Sequence, residues 1–293
     1  MRIRNTTLIA LAAVILLSHA SQVCAESSKR TRSTSRPITR PKFDPSAEKV
    51  QLFSGMKEGT LKSKVIAMGP EHGSVLVTNT TEEPLTVEFP KSFVVVHVLK
   101  QFGGGGGGGF GGGQQGGQQG GQQGGGQQSG GGGLGGQQGG GGGGGFGGGG
   151  GQQGGGGGGG FFSIPPEKTI KLPYVSACLN HGKPDPTPRA NYAIIPVEEY
   201  TKDPVLKELI MMVGTGRLAP QAAQAAVWNR TDNMSWQELA NKYSYGIVGN
   251  KIPYFTGNDL RGAQLISTTA VARVRDRGEN PDTVATPVRG RVR

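Results

Sequence analysis

The sequence predicts an α+β fold: an immunoglobulin-like β-sandwich with a long disordered Gly/Gln loop insertion, followed by a C-terminal helical segment. Three observations predict it. Short apolar runs of period two, bounded by turn residues, fill residues 61–99 and 161–175. Between them lies a tract, residues 103–160, in which 42 positions are glycine. After residue 200, apolar residues recur at helical spacing behind Pro and Ser/Thr start signals.

Taken in order, residues 1–25 read as a signal peptide. Arg2 and Arg4 form a positive start, and residues 8–17 are an uninterrupted apolar run, too short to span a bilayer, which takes about 20 apolar residues. Val23-Cys24-Ala25 offers a cleavage site after Ala25. Residues 26–43 are polar, basic and Pro-punctuated, and read as a disordered arm. The first part of the sandwich occupies residues 44–102. A helix is expected from Asp44, with Pro45 in its first turn, Leu52, Phe53 and Met56 on one face, and Gly59 as its stop. Strands are expected over residues 61–67 and 74–79. Leu85, Val87 and Phe89 alternate with Thr86 and Glu88 as in a half-buried strand, and residues 93–99 are apolar on both faces, so they belong mid-fold.

Residues 103–160 read as a flexible, solvated loop. Glycine loses the most backbone entropy on ordering, and the tract has little to bury beyond Phe110, Leu134 and Phe146. Loop closure entropy grows slowly with length, so such an insertion is tolerated. The remainder of the sandwich, residues 161–200, opens with a strand at 161–164 and a turn at 165–168. A strand follows in which Ile170, Leu172 and Tyr174 alternate with Lys171 and Pro173; the proline marks it as an edge strand. The helical part covers residues 201–277. Asp203-Pro204 opens one helix and Gly214 and Gly216 end it. Pro220 opens a second, Ser235 and Glu238 form a capping box for a third, and residues 256–277 form a fourth. Residues 278–293 read as a basic disordered tail.

The formal charge of +11 is concentrated at the ends. Residues 26–42 carry six Lys/Arg against Glu26, residues 273–293 carry six Arg against three acids, and residues 43–272 nearly balance. Such ends can attract a polyanion in a salt-sensitive way. No aromatics are interleaved with them for base stacking, which argues against specific nucleic-acid recognition.

Removal of the leader takes Cys24 with it and leaves Cys178 alone in an oxidising compartment, where it is buried, paired with another chain or chemically used. Structural zinc needs four ligands, and the mature chain offers only Cys178, His72, His97 and His181, with His97 in an apolar strand that favours core packing. No cysteine-protease signature surrounds Cys178. Neither a phosphate loop nor a nucleophile elbow occurs, and the Gly-x-Gly-x-x-Gly matches inside the tract are products of low complexity. No metal and no cofactor is expected.

Two resemblances add to this reading. Gln224-Ala225-Ala226-Val227-Trp228, followed by Thr231-Asp232, resembles the Gln-x-Ala-aliphatic-Trp stretch of bacterial surface thioester domains, known for a Thr-Gln-x-Ala motif; Ala223 stands where that motif has Thr. The resemblance implies a bond between Cys178 and Gln224, formed as the thiol displaces ammonia from the side-chain amide. Separately, Ala177-Cys178-Leu179-Asn180-His181-Gly182-Lys183-Pro184, then AAQAAVW, then SWQELANK, resembles an uncharacterised group of bacterial secreted proteins built as a β-sandwich plus helices. That resemblance implies no activity. The expected function is therefore a non-enzymatic exported protein, secreted or held in the periplasm or cell envelope, with structural or interaction duties toward an envelope or surface partner. Covalent adhesion through Cys178 and Gln224 and polyanion binding through the basic ends are the alternatives.

Overall fold

The computed structural model describes residues 36–98, 127–135 and 160–283. The expected signal peptide, the arm up to residue 35, most of the Gly/Gln tract and the tail from residue 284 lie outside the described residues. In chain order the elements are β1 (Glu48–Gln51), α1 (Leu52–Glu58), β2 (Leu61–Ala67), β3 (His72–Asn79), β4 (Leu85–Glu88), β5 (Phe93–His97), β6 (Gly130–Gly133), β7 (Phe161–Ile164) and β8 (Thr169–Cys178). Then come β9 (Tyr192–Ile195), α2 (Val197–Tyr200), α3 (Pro204–Gly214), α4 (Pro220–Thr231), α5 (Trp236–Ala240), β10 (Tyr243–Tyr245), β11 (Lys251–Pro253) and α6 (Gly257–Asp276).

The class is α+β, with sheets that are mostly antiparallel. A six-stranded antiparallel sheet runs in the order β2-β3-β8-β6-β5-β9. Its edge strands β2 and β9 approach each other, so the sheet curls. A second sheet runs β1-β4-β7, with β1 parallel to β4 and β7 antiparallel to it. Strand alternation divides the side chains between two cores. Val75, Val77, Phe93, Val95 and Ile170 share one core with Leu85, Val87 and Ile164 of the small sheet. Val94 and Ala177 point the other way and pack under α3, α4 and α6, against Leu206, Ile210, Ala226 and Ala270. Each fully buried Leu or Ile stabilises this arrangement by about 1.5–3 kcal/mol.

The glycine tract corrects the expectation of a loop that is disordered throughout residues 103–160. Gly130–Gly133 form β6, a buried interior strand between β8 and β5. Helix α3 crosses directly over it. A Cβ on Gly131 would lie 2.8 Å from Ile210 Cγ1, and one on Gly132 would lie 1.9 Å from the Val175 carbonyl oxygen. On the helix, a Cβ on Gly214 would lie 2.9 Å from the Gly133 nitrogen. The entropy that glycine loses on ordering is offset here because only a bare backbone admits the helix at this distance.

Other expectations shift in smaller ways. The helix expected from Asp44 begins only at Leu52, because residues 48–51 pair with β4; Gly59, at φ 84°, ends it as expected. Residues 36–43 of the expected arm lie along the sheets: Ile38 bridges Ile170, and Lys42 O accepts from Ser163 N at 3.0 Å. The strand containing Pro173 is interior rather than an edge. Its proline is tolerated because the far side of β8 is met by Ile38 at Lys171 and by β6 from Val175 onward, so no partner awaits a donor at 173. Of the expected tail, Pro281 is buried and its carbonyl accepts from Arg230.

Helices α3 to α6 start as the sequence signals require. Asp203 caps α3, accepting from Val205 N at 2.9 Å and Leu206 N at 3.2 Å. The same carboxylate holds Arg230 of α4 at 2.6 Å and 2.9 Å, locking the two helices together. Ser235 with Glu238 and Thr256 with Asp259 form complete capping boxes. Buried Glu208 is held by Arg273 at 3.1 Å and Arg277 at 2.7 Å, so these two arginines of the basic C-terminal run serve the fold.

Candidate functional site

The three sequence stretches singled out after the tract meet at one place. β8 ends at Cys178, and its continuation Leu179-Asn180-His181 runs toward α4. On one side the ladder continues, with Cys178 opposite Gly130 and Leu179 N donating to Ser129 O at 2.7 Å. On the other side the last ladder contact is Ser176 N to Glu71 O, and β3 has no residue left to pair with Cys178. Gln224 of α4 takes that place. Cys178 N donates to Gln224 Oε1 at 2.8 Å, and Gln224 Nε2 donates to Cys178 O at 2.8 Å. A buried side-chain amide thus completes the sheet where a strand has run out, satisfying two main-chain groups that would otherwise be orphaned.

Cys178 and Gln224 are therefore brought together, through the main chain of the cysteine. Alternation sends the Cys178 side chain to the face of Ser176 and Tyr174, and its sulfur lies 4.0 Å from Pro70 O. The thiol is fully buried, and burial, with Asp185 and Glu71 adding to it, pushes its pKa up to about 12. It is the neutral thiol, a poor nucleophile, that occupies this position.

The loop after Cys178 clamps the entry to β6. Asn180 Oδ1 accepts from Ser129 N at 3.1 Å, and Gln128 Nε2 donates to Lys183 O at 2.8 Å and to Asp185 Oδ1 at 3.0 Å. Gln127 bonds Thr187 and Tyr192. The Asn-His-Gly-Lys-Pro run thus fixes Gly130–Gly133, the segment of the tract that enters the sheet among the described residues.

His181 then meets the helical layer. Its ring lies edge-on to Trp228 of α4 at 4.8 Å, and its backbone N donates to Asp232 at 3.0 Å. Lys242 Nζ sits 2.9 Å from His181 Nε2, 5.3 Å from the Trp228 ring centroid and 5.0 Å from that of Tyr254. An ammonium has only donors, so Nε2 accepts and the ring is neutral. Matched against models of protein families, curated proteins and solved structures, the chain has no counterpart.

Burial first, then the Lys242 charge, hold His181 below its ordinary 6.5, against the opposing pull of Asp232. Burial and Lys183 do the same to His97. A fold that resists protonating these rings binds fewer protons than the unfolded chain below that value. Their contribution is therefore complete above 6.5 and is lost as the pH falls beneath it. Thermal melting from about pH 7.5 down to about pH 5 should show a falling Tm, and His181→Asn should flatten part of the decline.

Of the other candidate ligands, His72 is exposed at the start of β3 and His97 meets the Tyr192 ring edge-on. Among the described residues no three His, Cys, Asp or Glu side chains gather as a metal site would require. Two hollows of about 240 and 380 Å³ lie elsewhere, beside Glu208 and beside Phe53, away from the cluster.

The cluster supports a hairpin that the sequence reading missed. Tyr254 N donates to Lys242 O at 2.9 Å, closing the base of an antiparallel ribbon made of β10 and β11. Beyond this base, Tyr243, Tyr245, Ile247, Val248 and Ile252 are all exposed among the described residues. The available signal was local: Tyr-Ser-Tyr-Gly, then Gly-Asn-Lys-Ile-Pro, is a hairpin pattern of aromatic and β-branched residues around glycines.

Proposed function

We propose that this chain is an exported, non-enzymatic interaction protein whose contact element is the β10–β11 hairpin. One observation carries the reading. The Cys178–His181, Gln224–Asp232 and Lys242 segments converge on a packed seam that holds up a ribbon with two tyrosines and three aliphatic side chains in solvent. Isolated exposed apolar residues are ordinary; a group of five on one projecting hairpin is the pattern of a recognition surface. Export is supported by the apolar leader, and predicts a mature chain that begins at Glu26. No helix among the described residues is long and apolar enough to cross a membrane. An immunoglobulin-like grouping of the β-part draws support from two sheets sharing one core, while the parallel β1–β4 pair departs from it.

The test places a photo-crosslinking amino acid at Val248 of the full chain, in cells of its source, with Lys62 on the exposed side of β2 as the control position. Adducts at 248 and none at 62 are expected. Equal labelling at both positions, or none at either, overturns the reading.

A second reading is favoured by the adjacency of Cys178 and Gln224. In it the sulfur attacks Gln224 Cδ, the C–N bond breaks, and the nitrogen leaves as ammonia with the thiol proton. The resulting thioester would capture an amine or hydroxyl of a partner. The intact mature chain would then be lighter by one ammonia, and Cys178→Ala would abolish that deficit. Polyanion binding through the basic ends is the third reading, supported by their charge alone.

A further inference from the structure

We propose that the β10–β11 hairpin docks on a bilayer containing anionic phospholipid, seating its tip at the headgroup boundary. This rests on the hairpin being the contact element and names its partner.

The residues are banded along the hairpin axis. At the tip Ile247 is completely exposed and Val248 is 87% exposed. Next come Tyr245, opposite Lys251, and Tyr243, opposite Pro253. The two tyrosine rings touch edge-on at 5.4 Å, and Lys251 Nζ sits 4.3 Å over the Tyr243 ring. An aliphatic tip above a collar in which Lys251 lies among the tyrosines, with Lys242 at the base, follows the order in which a bilayer presents hydrocarbon and then its anionic interface. The charge is one-sided as well: between Glu238 and Asp259 the chain carries Lys242 and Lys251 and no acid.

The tip backbone is suited to leaving water. Gly246 N donates to Asn250 O and Gly249 N to Gly246 O, both at 2.9 Å, so the loop meets part of its own hydrogen-bonding need. The base is rigid, because Lys242 is held between Trp228, Tyr254 and His181. A protein partner fits less well. A stable interface takes about 20–30 residues from each side, and the exposed apolar and aromatic group on this ribbon is five.

The experiment uses the mature full chain, both basic ends included, with vesicles of phosphatidylcholine alone and of phosphatidylcholine with phosphatidylglycerol. Co-sedimentation is expected with the anionic vesicles only. The double variant Ile247→Asp, Val248→Asp should weaken it more than about tenfold, since each aliphatic side chain loses its burial. Lys251→Glu should weaken it several-fold. An environment-sensitive dye on Val248→Cys, in a Cys178→Ala background, should brighten on binding. Undiminished binding by the tip variant would assign attachment to the basic ends and overturn the proposal. A concentration-dependent dimer that the tip variant abolishes would assign the hairpin to a second copy, with the same consequence. If vesicles fail while Val248 crosslinks to protein in cells, the hairpin remains the contact element and the lipid assignment falls.

Discussion

Gly132→Ala is expected to lower stability by about 3 kcal/mol or more, while Gly130→Ala, two residues away, is expected to cost about 1 kcal/mol or less. A Cβ on Gly132 would sit 1.9 Å from the Val175 carbonyl oxygen and 2.8 Å from Ser176 Cα. Both obstacles are main chain in the adjacent interior strand, so no side-chain rotation relieves them. A Cβ on Gly130 would meet only Ser176 Cβ and Oγ at 3.4 Å, an ordinary contact. Overpacking usually costs about 1–3 kcal/mol, and displacing central backbone belongs at or beyond the top of that range. Against a total of about 5–15 kcal/mol, this is enough to deplete soluble protein. Urea unfolding midpoints of the two variants check it. Equal midpoints would mean that β6 does not occupy the sheet.

Gln224→Met is expected to cost about 2–5 kcal/mol, because it leaves both the N–H and the C=O of Cys178 buried and unpaired at about 1–3 kcal/mol each. Methionine keeps the volume, so packing loss is a small part of the effect. Cys178→Ala leaves the amide clamp intact and should cost only about 1 kcal/mol. A thioester predicts a different pattern, since either substitution then removes the same covalent link and the two should destabilise alike. Denaturant melts of both variants, with intact mass of the parent chain, separate the clamp from the bond.

Much of this fold was legible from local chemistry. Asp203-Pro204, Ser235 with Glu238, and Gly59 act through their own neighbours within one turn, so a helix start or stop can be read without knowing what packs above it. The alternation at Leu85, Val87 and at Ile170, Leu172 reports a strand with one buried face, whatever covers that face. The nearness of Cys178 and Gln224 was anticipated from a motif, yet the contact runs through the cysteine main chain, because β3 ends too early to pair with it. Lys242 carried no signal: its role depends on His181, Trp228 and Tyr254 arriving from three other segments.

By itself the sequence determined the segments that obey short-range rules: the strand alternation, the helix caps, and the concentration of charge at the two ends. Only the tertiary structure decided that Gly130–Gly133, among the described residues of the long tract, become an interior strand. Glycine has no side chain to announce burial, so its place is defined by what must come close to it, here Ile210 and Gly214 of α3 and the carbonyl of Val175. The same holds for the hairpin, whose tyrosines and aliphatic tip could have served a core until the fold left them outside.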